Sequence, residues 1–397
     1  MLSLASGSIV FRKERCCQCG ACLASCQDNA LAATVDQDGL ATIRVAPEKC
    51  TRCGACVRVC PAHQLPSLRL EDTIWPTMKE AGLAWHADTR IRQAASSGGA
   101  ARALLAGCLS EGQCEAVYTL MRQKESPWAA GALIRGHLDA GQVASSMYLP
   151  ITALEHLRFT GTIKSMAIVG TTCQLLAATK LLKGRVETLL RIAILCKQQK
   201  HLGFTRFAGK RLGLAEPGKP DRVDYRGHGW PGRVTVDNRS LEWEQAAAIP
   251  FGKRLWRVPG CLFCPNPLGY KADITLADPW GLEPCDTAGK TMAIAWTATG
   301  STLLHATPHL HFEPRLAPAD IKRSIDWRNL QRKARLIRFY QGRNVPGRVA
   351  LGGHLERIQT TVLERCLNKW RLPGVLYKVI AHLPDPLHLI PVSGERE

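Results

Sequence analysis

The sequence has no run of 18 apolar residues, so no membrane-spanning helix is expected. Its longest apolar stretch, LPGVLYKVIAHLPDPLHLI, is broken by Pro373, Pro384 and Pro386 and reads as a packing tail. The start, MLSLASGSIVFRKER, has no basic n-region, long apolar core or small-residue cleavage site, which points to a cytoplasmic location. No complete Gly-x-Gly-x-x-Gly dinucleotide fingerprint, with a strand before the glycines and a helix opening on them, is read in the sequence, which argues against a nicotinamide dinucleotide site. Acidic residues are few: 33 Asp and Glu face 52 Lys and Arg, a net charge of +19. Such a surface suits an acidic electron carrier of the ferredoxin type or an anionic coenzyme. Residues 313–372 alone carry 14 Lys and Arg against 5 Asp and Glu. That segment has few aromatics and no nucleic-acid motif, so nucleic acid is the weaker reading of the charge.

What the chain does have is cysteine, 17 in 397 residues. In a reducing compartment clustered cysteines are metal ligands rather than disulfides. Cys50, Cys53, Cys56 and Cys60, followed by Pro61, keep the spacing C-x2-C-x2-C-x3-C-P, and Cys16, Cys19, Cys22 and Cys26 repeat it with Gln27 in place of proline. This is the bacterial ferredoxin spacing, in which the fourth cysteine ligates the other cluster. It assigns Cys16, Cys19, Cys22 and Cys60 to one 4Fe-4S cluster, and Cys50, Cys53, Cys56 and Cys26 to a second. Zinc also binds CxxC pairs, but three cysteines at two-residue spacing, twice over, with a fourth three residues on, favour clusters. Gly20-Ala21 and Gly54-Ala55 are small where the backbone must approach inorganic sulfide. Cys17 fits no ligand slot and reads as a spectator.

The chain divides into residues 1–70 with the cysteine repeats, a linker over 71–90, an alternating strand and helix region over 91–312, and a basic helical segment over 313–397. Between the repeats, VDQDGLATIRVAPEK reads as a strand pair turning at Asp38-Gly39. Apolar runs at 116–120, 165–170, 189–196 and 273–278 alternate with helical stretches, the pattern of an α/β domain. Ser96-Ser97-Gly98-Gly99 opens a helix-like run, and a Gly-rich turn at a helix N-terminus suits a phosphate. Cys173 and Cys196 follow strands, and Cys261 and Cys264 form a CxxC, so four further thiolates are on hand.

In order, the motifs SSGGAARALL, SSMYLP, VGTTCQLLAATKLL, ILCKQQ, YRGHGWPG, CLFC and YKADITLADPWG resemble the coenzyme F420 hydrogenase/dehydrogenase beta subunits. The resemblance covers about residues 16–285, and relatives include flavin-dependent reductases of chlorophyll-type molecules. It implies an α+β ferredoxin-like domain, then an α/β flavin-binding domain, then the helical Arg-rich C-terminal segment. It further implies FAD beside a third 4Fe-4S cluster ligated by Cys173, Cys196, Cys261 and Cys264. Ser97, Gly98 and Gly99 would lie at the flavin phosphates, and Tyr225, Arg226, Asp273, Asp278 and Trp280 would line the site. The implied activity is an iron–sulfur flavoprotein oxidoreductase working between a one-electron carrier and a hydride-type donor or acceptor such as coenzyme F420. The alternative is a non-catalytic electron-transfer subunit of a larger redox complex. The chain departs from the family pattern at Thr172, where proline is common before the cysteine, and at Met147, where lysine is common.

Overall fold

The computed structural model describes residues 2–5, 8–63, 72–264, 266, 268–269, 271–282, 286–369 and 373–392. Its strands are β1 (Leu2–Ala5), β2 (Ser8–Phe11), β3 (Leu31–Val35), β4 (Ala41–Val45), β5 (Glu80–His86), β6 (Ala116–Arg122), β7 (Ala129–Arg135) and β8 (Ile163–Thr171). They continue as β9 (Val186–Ile194), β10 (Val223–Asp224), β11 (Arg233–Val236), β12 (Arg239–Glu242), β13 (Ile274–Ala277), β14 (Thr291–Ala295) and β15 (Leu310–Pro314). The helices are α1 (Ala21–Ser25), α2 (Ala55–Val59), α3 (Thr89–Ala94), α4 (Ala100–Ser110), α5 (Thr172–Leu181) and α6 (Leu202–Arg211). After them come α7 (Trp243–Gly252), α8 (Ala298–Ala306), α9 (Pro318–Ser324), α10 (Trp327–Tyr340), α11 (Gly347–Lys369) and α12 (Pro373–Ala381).

An eight-stranded sheet, ordered β15-β5-β14-β13-β9-β8-β6-β7, forms the centre. Strands β13, β9, β8 and β6 run parallel, and the strands on either side pair antiparallel. Every residue of β13 (ITLA) and β14 (TMAIA) is buried, as expected for strands covered on both faces. One face packs Leu104, Leu105 and Leu304 in one cluster, and the other packs Trp75, Trp296 and Trp327 in a second. The carboxyl ends of parallel β8, β9 and β13 lead directly to Cys173, Cys196 and Asp278. In open α/β sheets that edge is where ligands gather.

The N-terminal unit holds β3 and β4 around Asp38-Gly39, as the sequence predicts. Asp36 Oδ1 accepts from the backbone N–H groups of Asp38 and Leu40, and Gly39 takes φ +73° at the turn. Residues 64–70, where the first domain was expected to end, lie outside the described residues.

The linker reading of 71–90 is corrected. Strand β5 sits inside the great sheet, between β15 and β14. Its small residues disguise it: a Cβ on Gly82 would come within 2.1 Å of the Glu313 carbonyl, so the strand needs glycine there. The C-terminal segment is helical as expected, with α9–α12 and a short 3-10 turn, Pro386–Leu389, that buries Leu387.

Candidate functional site

The two N-terminal cysteine loops share one backbone shape. Gln18 and Arg52 take positive φ, then Gly20 and Gly54 do so at the N-caps of α1 and α2. The fourth cysteines, Cys26 and Cys60, stand at the C-caps of these helices in extended conformation. Backbone N–H groups of Gln18 and Ala30 point at Cys16 Sγ (3.4 Å) and Cys26 Sγ (3.3 Å). Cys60 lies with the first run: burial raises the Cys22 and Cys16 thiols, and Cys19 and Cys60 push both further up. Cys26 lies with the second: burial, then Cys26 and Cys53, push Cys56 up to about 11. Buried thiols crowding one another in this way are relieved when a metal binds them as thiolates and their protons are released to solvent. Among the described residues, no three His, Cys, Asp or Glu side chains converge on a single-ion site. Of the eight cysteines only Cys53 is exposed.

A second group of sulfurs lies against the first. Cys17, Cys173, Cys196, Cys261 and Cys264 line one pocket at the carboxyl edge of the sheet. Cys17 is therefore no bystander. It lines the pocket with Cys173 and packs in one cluster with Cys19, and its thiol is raised well above the usual value by its Cys173 and Cys19 neighbours and by burial, so it stands between the two groups. The link is rigid, because Gly260 lets the 259–263 turn lie on the Cys16–Cys17 peptide: a Cβ there would be 2.3 Å from the Cys16 carbonyl oxygen. The Arg15 guanidinium also stacks 5.1 Å over the Phe263 ring. Sequence spacing had no means of finding Cys17, because its partner is 156 positions away in a different fold unit.

Burial raises Cys196 and Cys261, and takes Cys264 to about 11. Cys173 moves the other way, held down to about 7 by the neighbouring Cys17 thiol and, against burial, by Thr171. The Gln199 N–H points at Cys261 Sγ (3.3 Å), and Cys264 is a C-cap in extended conformation, repeating two features of the N-terminal loops. Three polar atoms of this lining are buried without partners: Thr172 Oγ1, Gln198 Oε1 and Asn266 Nδ2. An orphaned hydroxyl and amide donor at a ring of thiols fit a group that carries acceptor atoms, such as inorganic sulfide.

The larger cavity, about 430 Å³, adjoins this pocket and shares Thr171, Gln174 and residues 196–199 with it. Its lining includes the first turn of α4, with Ser97, Gly99, Ala100 and Ala101. Gly99 caps that helix at φ +77°. Asp278 and Trp280 also face the cavity. Arg226, 1% exposed, lies behind them: Nη1 donates to Asp278 Oδ2 (2.7 Å), Nη2 to the Ser96 carbonyl, and the guanidinium lies 4.5 Å from the Trp243 ring centre.

The other expected contacts face elsewhere. The Gly98 N–H is taken by Thr291 Oγ1 (2.8 Å), and a Cβ on Gly98 would strike β5 and β14 backbone at 2.6–2.7 Å. Tyr225 stacks on Phe204 and shares a 2.6 Å hydrogen bond with Thr205 in the core behind Tyr148, Trp243 and Phe251, outside the cavity lining. Asp273 accepts from Arg191 N (2.8 Å) and Thr297 Oγ1 (3.1 Å), tying β9 to α8. In their place the cavity has Tyr148, Lys197, Gln198, Trp243 and Phe251. Tyr148 and Lys197 sit in SSMYLP and ILCKQQ, so the motifs pointed to the right segments but not to these side chains. Burial lowers the Lys197 ammonium pKa, and Lys197 lines both pockets.

Compared with known families, residues 15–63 match the 4Fe-4S dicluster domain. Residues 82–158 match the N-terminal part of the coenzyme F420 hydrogenase/dehydrogenase beta subunit, and residues 163–311 its C-terminal part. No curated protein matches the chain. Among solved structures, the chain is similar to one in the xenon-derivatised F420-reducing NiFe hydrogenase complex from Methanosarcina barkeri. That similarity has 15% identity and a TM-score of 0.48, over 64% of this chain and 91% of that one. With both halves of one family matched in order behind an iron–sulfur module, the chain belongs to the coenzyme F420 hydrogenase/dehydrogenase beta subunit family.

Proposed function

We propose that this protein is an iron–sulfur flavoprotein oxidoreductase that passes electrons between a one-electron carrier and a hydride-type partner such as coenzyme F420. The observation that carries the reading is the contiguity of its sites. The Cys26, Cys50, Cys53 and Cys56 set reaches the surface at Cys53, and the Cys16, Cys19, Cys22 and Cys60 set lies behind it. Cys17 joins that second set to the pocket of Cys173, Cys196, Cys261 and Cys264. Cys196 and Lys197 in turn form part of the wall of the large cavity. A path from the surface to a ligand cavity, lined by sulfur for most of its length, suits single electrons entering at one end.

The large cavity is proposed as the FAD site. Its volume lies in the usual range for small-molecule sites. The first turn of α4 offers backbone N–H groups and a positive dipole end to a phosphate. Bound there, a flavin would exchange a hydride with one partner and single electrons with iron–sulfur centres. The protein's part is to hold Asp278 in place through Arg226, to wall the cavity with Trp243, Phe251 and Tyr148, and to set Lys197 at the junction of the pockets. Lys197 supplies a cation near the cavity where Met147 replaces the family's lysine.

Three clusters require about 12 iron and 12 acid-labile sulfide per chain. We expect anaerobically purified protein to contain this together with one flavin, and Cys196→Ala to lose about a third of the iron. Zinc in place of iron, or intact clusters without flavin, would refute the reading, the second outcome in favour of an electron-transfer subunit.

A further inference from the structure

Helix α11 is fixed on one side and bare on the other. Gly352 and Gly353 let its backbone lie close to Ile390 and Phe339, where a Cβ would come within 2.7 and 2.4 Å. Val349, Leu363 and Leu367 are buried on the same inner face. Both acidic residues of the helix are engaged with the core as well. Glu356 is 1% exposed between Arg254, Arg257 and Tyr340, and Glu364 accepts the backbone N–H of Trp256.

The outer face carries Leu351, Leu355, Ile358 and Val362, which are 52, 38, 59 and 50% exposed. Single exposed aliphatics are ordinary, but a line of four on a well-anchored helix marks an interaction site. Their spacing of four, three and four places them within an arc of about 60° at 3.6 residues per turn. That is the narrow seam filled by one partner helix, whereas a bilayer takes a broader apolar face. Arg348 stands at one end of the seam, with Arg365 and Lys369 at the other, all exposed. A second copy of α11 would meet this seam with like charges in either direction: antiparallel pairing sets Arg348 against Arg365, and parallel pairing sets each arginine against itself.

We propose that the outer face of α11 docks an amphipathic helix of a partner protein, apolar along its centre and acidic at both ends. The inner face of α11 shares a buried cluster with Phe263, which lies between Cys261 and Cys264, so the partner would bind over the layer that covers that loop.

The probe is a fluorescein-labelled helical peptide of about three heptads, with leucines at the seam positions and glutamates at both ends, titrated into the full chain by anisotropy. A control peptide carries lysines in place of the glutamates. The acidic peptide should bind the wild type and weaken with salt, and the basic one should not bind. Ile358→Lys should weaken binding at least about tenfold with iron content and circular dichroism unchanged. The double variant Arg348→Glu/Arg365→Glu should reverse the preference between the peptides. Equal binding of both peptides, or no effect of Ile358→Lys, would overturn the proposal. So would a sedimenting dimer that Ile358→Lys dissociates, or flotation with phosphatidylserine vesicles that Ile358→Lys abolishes.

Discussion

A buried hydroxyl without a partner costs about 1–3 kcal/mol, so Thr172 Oγ1 beside Cys173 calls for a reason. It stands where the family commonly has proline, which has no side-chain donor. A hydroxyl donating to a sulfide or thiolate favours the reduced, more negative state of a cluster and raises its potential. Thr172→Val keeps the shape and removes the donor. We expect all the iron to remain and the potential of the cluster proposed at Cys173, Cys196, Cys261 and Cys264 to fall. A hydrogen bond worth about 1 kcal/mol between oxidation states corresponds to about 40 mV for a one-electron couple. Redox titration followed by electron paramagnetic resonance reads this directly, and an unchanged potential would leave Thr172 with packing alone. The sequence made this site legible only in part. Regular spacing reveals ligands that are close in sequence, such as Cys50, Cys53 and Cys56. Side chains that meet through folding, such as Cys17 with Cys173 or Arg226 with Asp278, leave no periodic signal. The sequence also cannot tell which face of a motif looks into the cavity, so Gly98 and Asp273 read as ligand contacts although their bonds go to the scaffold.

Among the elements, α11 is tied to the rest by ion pairs as much as by apolar contact. Arg254 Nε donates to Glu356 Oε1 (3.0 Å) and its Nη2 to Asp385 Oδ1 (2.7 Å), while Arg257 reaches Glu356 Oε1 at 3.1 Å. Burial raises the Glu356 carboxyl, but Arg257 and Arg254 outweigh it and leave its pKa below the usual value; Asp385 is lowered in the same way by Arg254. Removing one partner of a buried pair leaves the others uncompensated, so Glu356→Ala should cost about 3–5 kcal/mol, read from the denaturant midpoint. The pH dependence has a definite sign. These folded-state values are depressed, so the stabilisation is complete above the unfolded values of about 4 and is lost as pH falls through the lower folded values. The stability gap between wild type and Glu356→Gln should therefore be constant from neutral pH down to about pH 5 and close below about pH 4. A gap that instead closes on the alkaline side would contradict this electrostatic account. The β5 segment shows where element reading fails. In EAGLAWH the four residues from Ala81 to Ala84 are buried in a row rather than alternating, because the sheet covers them on both faces and β15 lies against Gly82, so neither strand nor helix periodicity marks the segment.

For the whole molecule, a net charge of +19 matters through where it meets the electron path. Cys53 is exposed, and exposed Lys49, Arg52 and Arg58 stand in the same cysteine run, with the Arg58 guanidinium bonded to the Cys53 carbonyl (2.7 Å). An acidic one-electron carrier steered toward this end would arrive at the outermost cysteine set. Steering of this kind raises association rates by about 10–10³ and fades as the Debye length shortens from about 10 Å at 0.1 M salt to about 3 Å at 1 M. We therefore expect stopped-flow reduction of the clusters by reduced ferredoxin to be fast at low salt and slow at high salt. Reversing Lys49 and Arg52 together to glutamate should slow it roughly tenfold at low salt and scarcely at all at high salt, without loss of iron. Arg58 is left in place because it positions the Cys53 backbone. A nicotinamide donor should reduce the protein slowly at every ionic strength, because the one Gly-x-Gly-x-x-Gly of the chain, residues 227–232, runs from β10 into β11 and opens no helix that could take a pyrophosphate. Rapid, salt-indifferent reduction by NADH would mean that electrons enter at the large cavity from a nucleotide. A double reversal without effect on the ferredoxin rate would mean that the carrier docks away from Cys53, leaving the basic C-terminal layer as the surface to test next.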